Sequence, residues 1–388
     1  MSTIFFDVIV IGAGVSGSSA AYELAKAGLK ALVLEKEKLP RYKTCGGGVV
    51  FKAANLLPFK FEEIVQKTFY AADVIDHENK TKFRIERNIP LINMVMRSDF
   101  DYFILKKAVE KGAVVNDKSE VLEMINEKYS VEVKTSIQTF SAKFVIAADG
   151  ATGFSMTKYK LSKNILRIPA VESEIFTNDK MMDKYKDIAR FDFGFIPHGY
   201  GWVFTKKDHL SIGVAFMNKI EQSIQSWFGK YLEFLGFKEK NIFKNEKHGY
   251  VIPLIRGNVV SSINRILFAG DTLGFADPLT AEGISYAIET GQLAAGSIIK
   301  NEFDYQKTRE DYREIIENVY KEIKAARFLS RVVYGPLTLR KFIFKHYGRG
   351  LSELLTEVIT NKKKYNELVN NPANYLKLIK PKYFLRTS

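Results

Sequence analysis

Cysteine is almost absent from this 388-residue chain, in which Cys45 is the single example. One cysteine excludes an intrachain disulfide, so we expect a cytoplasmic protein. The five histidines are scattered along the sequence, and no metal site or Ser–His–Asp arrangement is predicted. Long uncharged apolar runs are missing, and an apolar strand begins almost at the N-terminus. We therefore expect neither a membrane span nor a cleavable signal peptide.

Acidic residues are scarce in the C-terminal part of the chain. The formal net charge is +14, and residues 321–388 hold 15 Lys or Arg against 4 Glu, so most of the excess lies there. Apolar residues such as Phe328, Val332 and Phe342 recur in this segment at helical spacing. The pattern predicts a membrane-surface helix or a lid over an acidic substrate, and equally an amphipathic helix packed on the body. No recognition module for nucleic acid is visible, so nucleic acid is not an expected partner.

A glycine-rich turn follows the first apolar run. Residues 6–11 predict a parallel strand buried on both faces, and Gly12, Gly14 and Gly17 follow it. Gly12 permits the tight turn, Gly14 lets the backbone approach a pyrophosphate, and Gly17 allows close packing of the following helix. The predicted helix covers residues 16–27, ends at Gly28 and presents its N-terminal amides to an anion. A glycine-rich turn without a nucleotide is the alternative.

The elements that follow this turn complete the dinucleotide-binding pattern. A second strand is predicted over residues 30–34, and Glu35 comes directly after it. Glu35 stands 23 residues after Gly12, close to the offset expected for an acid that binds a ribose hydroxyl. The sequence therefore predicts a dinucleotide at the start of the chain.

A second glycine segment lies far along the chain. Residues 265–269 predict a short strand that ends at Gly270-Asp271, and a helix is predicted from Ile284 to Ile299. Asp271 would accept hydrogen bonds from ribityl or ribose hydroxyls, and the free amides of Gly283 and Ile284 would stabilise the flavin N1–O2 edge. The alternative is a strand, turn and helix with a capping acid. The two glycine segments together predict FAD.

The region between the two glycine segments is mainly β. A helix is predicted near 99–112, with Ser98 as its N-cap and Gly112 at its end. The predicted strands lie near 81–85, in a hairpin at 129–135 and 138–142, at 144–148 and within an aromatic stretch at 165–216.

The predicted fold class is α/β, or α+β overall, with three parts. An FAD-binding Rossmann-like domain is assembled from residues 1–60, 97–160 and 246–300. Residues 61–96 and 161–245 form an inserted antiparallel β-sheet domain that binds substrate. Residues 301–388 form a basic helical region.

Three segments resemble one branch of the glutathione-reductase-type flavoproteins. They are residues 12–17 with Glu35, Asp149-Gly150 after a strand, and residues 270–284. That branch contains para-hydroxybenzoate hydroxylase, the flavin halogenases and the geranylgeranyl reductases. The third segment is most similar to the geranylgeranyl reductases, since no His follows Gly270-Asp271 as it usually does in aromatic hydroxylases. The W-x-W-x-I-P motif and the lysine of halogenases cannot be placed.

Two further segments resemble the geranylgeranyl reductases. Residues 40–48 resemble the arginine-containing, cysteine–glycine loop beside the flavin, where consecutive glycines let the backbone lie flat against the ring. Residues 200–206 resemble the Y-x-W-x-F-P-K strand that lines the alkene cavity, with Thr205 in place of Pro. Strand alternation puts Tyr200, Trp202 and Phe204 on one face, as candidate substrate-binding residues. A buried aromatic strand without a ligand is the alternative.

The resemblance implies FAD as the cofactor, with NAD(P)H or ferredoxin as the electron donor. Cys45 is the candidate for a catalytic or gating role, and a purely structural thiol is the alternative. The candidate cofactor-binding residues are Gly12, Ala13, Gly14, Ser16, Gly17, Glu35, Lys36, Arg41, Cys45, Gly46, Gly47, Arg97, Asp149, Gly150, Gly270, Asp271, Pro278, Gly283 and Ile284.

The implied activity is saturation of isolated C=C bonds in geranylgeranyl chains of archaeal-type ether lipids or related polyprenyl compounds. Hydride would pass from N5 of the reduced flavin. The implied partners are the lipid, a redox protein and the inner face of the membrane, contacted by the basic C-terminal region. Two alternatives remain: a flavin monooxygenase acting on an apolar or aromatic substrate, and a non-catalytic flavin electron carrier docked on membranes.

Overall fold

The computed structural model describes residues 4–218 and 222–371. The strands in that part of the chain are β1 (Ile4–Ile11), β2 (Ala31–Leu34), β3 (Gly48–Val50), β4 (Val65–Phe69), β5 (Ala71–Asp76), β6 (Thr81–Glu86), β7 (Ile92–Val95), β8 (Val114–Asn116), β9 (Val121–Asn126), β10 (Val131–Thr135), β11 (Thr139–Ala147), β12 (Ile165–Thr177), β13 (Ala189–Phe193), β14 (Gly199–Thr205), β15 (Leu210–Phe216), β16 (Ile242–Ile255), β17 (Ser262–Ile263) and β18 (Ile266–Phe268). The α-helices are α1 (Val15–Lys26), α2 (Phe51–Leu56), α3 (Arg97–Glu110), α4 (Phe154–Lys158), α5 (Asp179–Tyr185), α6 (Ile224–Leu235), α7 (Ile284–Lys300), α8 (Tyr305–Val333), α9 (Leu337–Ile359) and α10 (Tyr365–Asn370).

The first sheet is the predicted Rossmann-type core. Its strand order is β17-β18-β11-β1-β2-β8, with β10 and β9 added beside β11. The five strands from β18 to β8 run parallel, and Val10 of β1 lies opposite Val33 on one side and Ile146 on the other. Four of these parallel strands carry predicted site residues just beyond their carboxyl ends, where ligands of open α/β sheets bind. Those residues are Gly12, Glu35, Asp149 and Asp271.

The second sheet forms the inserted β layer, with strand order β16-β12-β15-β14-β13-β5-β6. All neighbours in it are antiparallel except β13 and β5. A third sheet has the strand order β3-β7-β4. In the sequence, its strands fall between the loop that contains Cys45 and the start of α3.

The C-terminal helices pack against both large parts of the fold. Helix α7 lies on α1, and α10 lies on α8. Helix α9 lies on β6 so closely that a Cβ at Gly348 would come within 2.4 Å of the Phe83 ring. Among the described residues, no helix combines the length and hydropathy needed to cross a membrane. Residues 372–388, which hold part of the predicted basic segment, lie outside the described residues.

Three details differ from the sequence-based predictions. Helix α3 begins at Arg97 with Met96 as its N-cap, so the prediction of Ser98 as N-cap is wrong; the Ser98 hydroxyl bonds to Asp99 instead. The segments at 138–142 and 144–148 are one strand, β11, because the chain continues straight from the hairpin into the parallel sheet. Residues 246–255 belong to β16 in the second sheet rather than to the FAD-binding part, because this long strand pairs with β12 along nearly its whole length.

Candidate functional site

A cavity of about 1050 Å³ begins at the carboxyl ends of the parallel strands and continues beneath α9. We call the part between the β1–α1 turn and residues 271–284 the nucleotide arm, and the part between the second sheet and α9 the apolar arm. The predicted cofactor residues lie along the first arm and the predicted substrate residues along the second. Four predicted residues do not line the cavity and lie behind its wall: Ala13, Gly17, Gly270 and Pro278.

The three glycines of the β1–α1 turn have different surroundings. A Cβ at Gly12 would lie 2.5 Å from the Ala148 carbonyl oxygen, and one at Gly17 would lie 1.9 Å from the Gly12 carbonyl oxygen. Both positions therefore need glycine for backbone packing. A Cβ at Gly14 would have no neighbour closer than Arg41 Nη2 at 3.5 Å. Gly14 thus leaves space for an anion between the N-terminus of α1 and a guanidinium.

Glu35 is buried at the end of β2 and is held by three donors. Its Oε2 accepts the Ala13 amide at 3.0 Å and Arg41 Nε at 3.1 Å, and its Oε1 accepts the Glu37 amide at 3.1 Å. These bonds fix both the acid and the β1–α1 turn in place beside the nucleotide arm. The remaining acceptor capacity of the carboxylate is available for a ribose hydroxyl.

A buried acid that the sequence analysis did not single out joins two predicted arginines. Asp101 accepts Arg97 Nε at 2.7 Å and Arg97 Nη2 at 3.1 Å, and Arg41 Nη1 lies 3.4 Å from its Oδ2. Burial lowers the pKa of Arg97, but Asp101 and then the adjacent Cys45 outweigh burial, so that pKa is raised. Asp101 therefore sets the position of both cations. The i,i+4 spacing of Arg97 and Asp101 on α3 was the available sequence signal.

The second glycine segment presents free polar groups to the cavity. Within the described residues, the Asp271 carboxylate accepts no hydrogen bond, and the amides of Gly283 and Ile284 donate none. Asp271 Oδ1 lies 3.6 Å from the position of a Gly283 Cβ, so these groups share one small region at the N-terminus of α7. One acceptor and two donors placed this way fit the ribityl chain and the N1–O2 edge of FAD.

Asp149 has partners within the protein although it lines the cavity. Its Oδ2 accepts the Ser155 amide at 2.7 Å, and its Oδ1 accepts the Thr272 hydroxyl at 3.2 Å. Burial raises the pKa of Asp149, and these hydrogen bonds act in the opposite direction. Asp149 therefore ties β11 to the segment around Asp271.

Three tyrosines hold the loop at residues 277–283. The hydroxyl of Tyr200 donates to the Thr280 carbonyl at 2.8 Å, and that of Tyr334 donates to the Leu279 carbonyl at 2.6 Å. The third, Tyr365 on α10, donates to Asp277 Oδ2 at 2.7 Å. The loop beside the predicted flavin edge thus depends on the second sheet and on the C-terminal helices.

The cysteine–glycine loop is bonded to the second sheet through a buried acid, Glu172 of β12. The Cys45 amide donates to Glu172 Oε1 at 3.1 Å, and the Tyr42 hydroxyl donates to the same oxygen at 2.6 Å. Cys45 itself is half-buried, and its Sγ accepts the Gly47 amide at 3.5 Å. Glu172 lines the cavity and was not predicted from the sequence, because 130 residues separate it from Tyr42.

The apolar arm has an aromatic wall. Tyr200, Trp202 and Phe204 lie on one face of β14, each less than a tenth exposed, and Phe191 and Phe193 of β13 extend that face. Helix α9 and the end of α8 form the opposite wall, with Val333, Phe344, Leu351, Leu355 and Ile359.

Thr205, which departs from the resembled pattern, lies on the other face of β14 by strand alternation. Its hydroxyl donates to the Tyr185 carbonyl at 2.7 Å. The departure therefore leaves the aromatic wall unchanged.

Residues 6–165 match the FAD binding domain family. An uncharacterized protein of Methanosarcina barkeri is 34% identical over 340 residues, covering 86% of this chain and 85% of that protein. Digeranylgeranylglycerophospholipid reductase 3 of Methanosphaera stadtmanae is 27% identical over 354 residues, covering 85% and 87%. The chain belongs to the same family as the Methanosarcina protein, and digeranylgeranylglycerophospholipid reductases are its more distant relatives.

Solved structures share the fold of this chain. A geranylgeranyl bacteriochlorophyll reductase-like protein of Thermoplasma acidophilum superposes with a TM-score of 0.76 at 22% identity, covering 99% of this chain and 98% of that one. The flavin-dependent brominase Bmp2 superposes with a TM-score of 0.71 at 19% identity, covering 92% and 93%. This protein is an FAD-dependent oxidoreductase.

Proposed function

We propose that this protein saturates isolated C=C bonds in the geranylgeranyl chains of isoprenoid lipids. The observation that carries the proposal is the continuity of the two arms. The nucleotide arm has free groups that fit FAD, and its residues line the same cavity as the apolar arm walled by Tyr200, Trp202 and Phe204. A long hydrocarbon chain, such as a methyl-branched isoprenoid, is the kind of ligand that such an arm accepts.

Reduced FAD, when bound, supplies the hydride for the saturation. An isolated alkene carries no carbonyl that a side chain could polarise, so the protein contributes by placing the bond and excluding water. Apart from the Trp202 indole N–H, which has no partner among the described residues, the hydroxyl groups of the apolar arm are bonded within the protein. The hydroxyls of Ser352 and Thr356 donate to carbonyls one turn back on α9, both at 2.8 Å, and the Tyr200 hydroxyl is bonded to Thr280. The arm therefore presents mainly hydrocarbon and ring surface.

Anaerobic turnover tests the reaction directly. The protein, reconstituted with FAD and reduced with dithionite, is mixed with a geranylgeranyl glycerophospholipid, and the lipid is analysed by mass spectrometry. We expect a gain of about two mass units per saturated bond, with reoxidation of one flavin per bond. Reoxidation without any mass gain would contradict the proposal. Aerobic turnover with a hydroxylated product would instead favour the monooxygenase alternative.

We also propose that the corner between α8 and α9 contacts an anionic membrane. No acid occurs between Glu322 and Glu353, while that stretch holds seven Lys or Arg. Its exposed side chains include both apolar and basic types: Phe328, Arg331, Leu337, Leu339, Lys341, Phe342 and Lys345. The inward face of α9 lines the apolar arm. A surface of this composition would hold the arm close to its lipid substrate.

Sedimentation with vesicles tests this contact. The FAD-loaded protein is mixed with vesicles of neutral phospholipid, with or without phosphatidylglycerol. We expect binding only to the anionic vesicles. The double variant Lys341→Glu/Lys345→Glu should lose at least about thirtyfold in binding, since each lysine near such a surface contributes about 1 kcal/mol. Lys163→Glu/Lys240→Glu, which reverses two exposed lysines elsewhere, is the matched control. Equal losses in both variants would indicate attraction through net charge alone.

A further inference from the structure

A row of residues crosses the second sheet beside the cysteine–glycine loop. His248 of β16 lies opposite Glu172 of β12, Glu172 lies opposite Gly213 of β15, and Gly213 lies opposite Trp202 of β14. Residues directly opposite one another in antiparallel strands share a face of the sheet. Glu172 is therefore on the same face as the aromatic wall, two strands away from Trp202. A buried carboxyl group thus lines the cavity on the face that carries the aromatic wall.

The Trp202 ring extends across the intervening strand toward Glu172. A Cβ at Gly213 would lie 2.1 Å from Trp202 Cζ2, so the ring lies directly over the glycine. Gly46 of the cysteine–glycine loop lies beside the same ring, with Trp202 Nε1 3.1 Å from the position of its Cβ. Glu172, Trp202 and the loop therefore surround one region of the cavity.

Each oxygen of Glu172 has neutral donors. Oε1 accepts the Tyr42 hydroxyl at 2.6 Å and the Cys45 amide at 3.1 Å, and Oε2 lies 3.3 Å from the Ser211 hydroxyl. Among the described residues, Glu172 forms no ion pair. Tyr42 also stacks on His248, with ring centroids 4.1 Å apart, which fixes the ring above the carboxyl group.

The neighbouring acid, Glu174, is different because it has two basic partners. The Lys206 ammonium pairs with its Oε1, and His209 Nε2 lies 3.1 Å from its Oε2. Burial and then the negative charge of Glu174 raise the pKa of Glu172 to about 7, partly offset by Lys206 and by the hydrogen bonds from Tyr42 and Cys45. Of the two adjacent buried acids, Glu172 is thus the one that can hold and release a proton near neutral pH.

We propose that the Glu172 carboxyl group donates the proton that completes saturation of the alkene, a role that rests on the proposed reductase function. One alkene carbon receives hydride from the reduced flavin, and the other forms a C–H bond with the Glu172 proton. The π bond and the Glu172 O–H bond break, the flavin is oxidised, and Glu172 remains as a carboxylate. Tyr42 and the Cys45 amide stabilise that carboxylate until it takes a proton from water.

Infrared titration of the FAD-loaded protein tests, without turnover, whether Glu172 carries a proton near neutral pH. We expect a carboxyl C=O band that disappears around pH 7 in the wild type and is missing in Glu172→Gln. Tyr42→Phe keeps the stacked ring but removes a hydrogen bond to the carboxylate, so its band should titrate at higher pH. Asp73→Asn removes a buried acid of the same sheet that does not line the cavity, and should leave the band unchanged. A Glu172 that stays ionised throughout pH 5–9 would overturn the proposal.

Single-turnover reoxidation of the reduced protein by geranylgeranyl lipid tests the donation. We expect the wild-type rate to fall as pH rises through about 7. Glu172→Gln should lower the rate by roughly 10²- to 10⁴-fold and remove the pH dependence, and Glu172→Asp should restore part of it. FAD affinity should stay unchanged in both variants. A wild-type rate in Glu172→Gln would contradict proton donation by Glu172 but not the reductase function. A wild-type protein that saturates no lipid would overturn the reductase function and this role together.

Discussion

The hydroxyl of Tyr365 donates a 2.7 Å hydrogen bond to Oδ2 of Asp277, 88 residues earlier in the chain. The other oxygen of Asp277 accepts the amide of Leu279 at 2.8 Å. Burial raises the pKa of Asp277, and the Tyr365 hydroxyl is among the groups that oppose this rise. A C-terminal helix thereby stabilises the acid at the start of the loop that leads to Gly283.

Tyr365→Phe should weaken both the fold and FAD binding. The change leaves a buried oxygen of Asp277 without its donor, which costs about 1–3 kcal/mol. We expect roughly tenfold weaker FAD binding, equivalent to about 1.4 kcal/mol, measured by quenching of flavin fluorescence. Tyr320→Phe is the control, since it removes a buried hydroxyl that donates to the Gly257 carbonyl at 2.6 Å, outside this loop. Equal loss of FAD affinity in both variants would contradict the link.

Two alanine substitutions in the β1–α1 turn should have opposite consequences. Gly17→Ala places a methyl group 1.9 Å from the Gly12 carbonyl oxygen, so we expect a large fall in Tm. Gly14→Ala meets nothing closer than 3.5 Å, so its Tm without FAD should stay close to that of the wild type. The new methyl group would nevertheless occupy space needed by the pyrophosphate. Calorimetry and FAD titration of both variants check this, and tight FAD binding by Gly14→Ala would contradict the placement.

Gly213→Ala should disturb the aromatic wall without affecting the cofactor. A Cβ there would lie 2.1 Å from the Trp202 ring, so the indole must move. We expect lipid reduction to slow by roughly tenfold to a hundredfold, with a shifted tryptophan emission and unchanged FAD binding. Gly249→Ala in β16 is the control, because its nearest neighbour would be 3.9 Å away. A wild-type rate in Gly213→Ala would show that the position of the Trp202 ring does not matter for substrate binding.

The stability of the fold should depend on the ionisation of Glu172. Its pKa is raised to about 7 in the folded protein, so the folded state holds this proton more tightly than the unfolded chain does. The contribution to the free energy of unfolding therefore falls as pH rises from the ordinary carboxyl range through about 7. We expect the Tm of Glu172→Gln, relative to the wild type, to increase between pH 5 and pH 8. A difference in Tm that is constant across this range would contradict the raised pKa.

Local sequence was sufficient for the Rossmann-type unit and for the aromatic wall. The β1–α1 turn, β2 and Glu35 occupy one short stretch, so the glycine spacing could be recognised there, although Gly12 packs against the distant Ala148 carbonyl. The face shared by Tyr200, Trp202 and Phe204 follows from strand alternation alone. The N-cap of α3 was predicted wrongly because Ser98 looked like a capping residue, whereas the helix already begins at Arg97. The end of β16 was misplaced because strand pairing depends on a distant partner, β12.

Only the tertiary structure brought the buried acids to the cavity. Each of three acids is hydrogen-bonded to a residue far away in the sequence. The separation is 60 residues for Asp101 and Arg41, 130 residues for Glu172 and Tyr42, and 88 residues for Asp277 and Tyr365. Glycine turns and alternating strands are encoded within a few residues, since they depend on backbone conformation and on the period of the element. Which acid is buried beside which donor depends instead on how the sheets and C-terminal helices pack. The sequence by itself therefore determined the FAD-binding framework and the aromatic strand, and the packing decided which acid lines the cavity beside the cysteine–glycine loop.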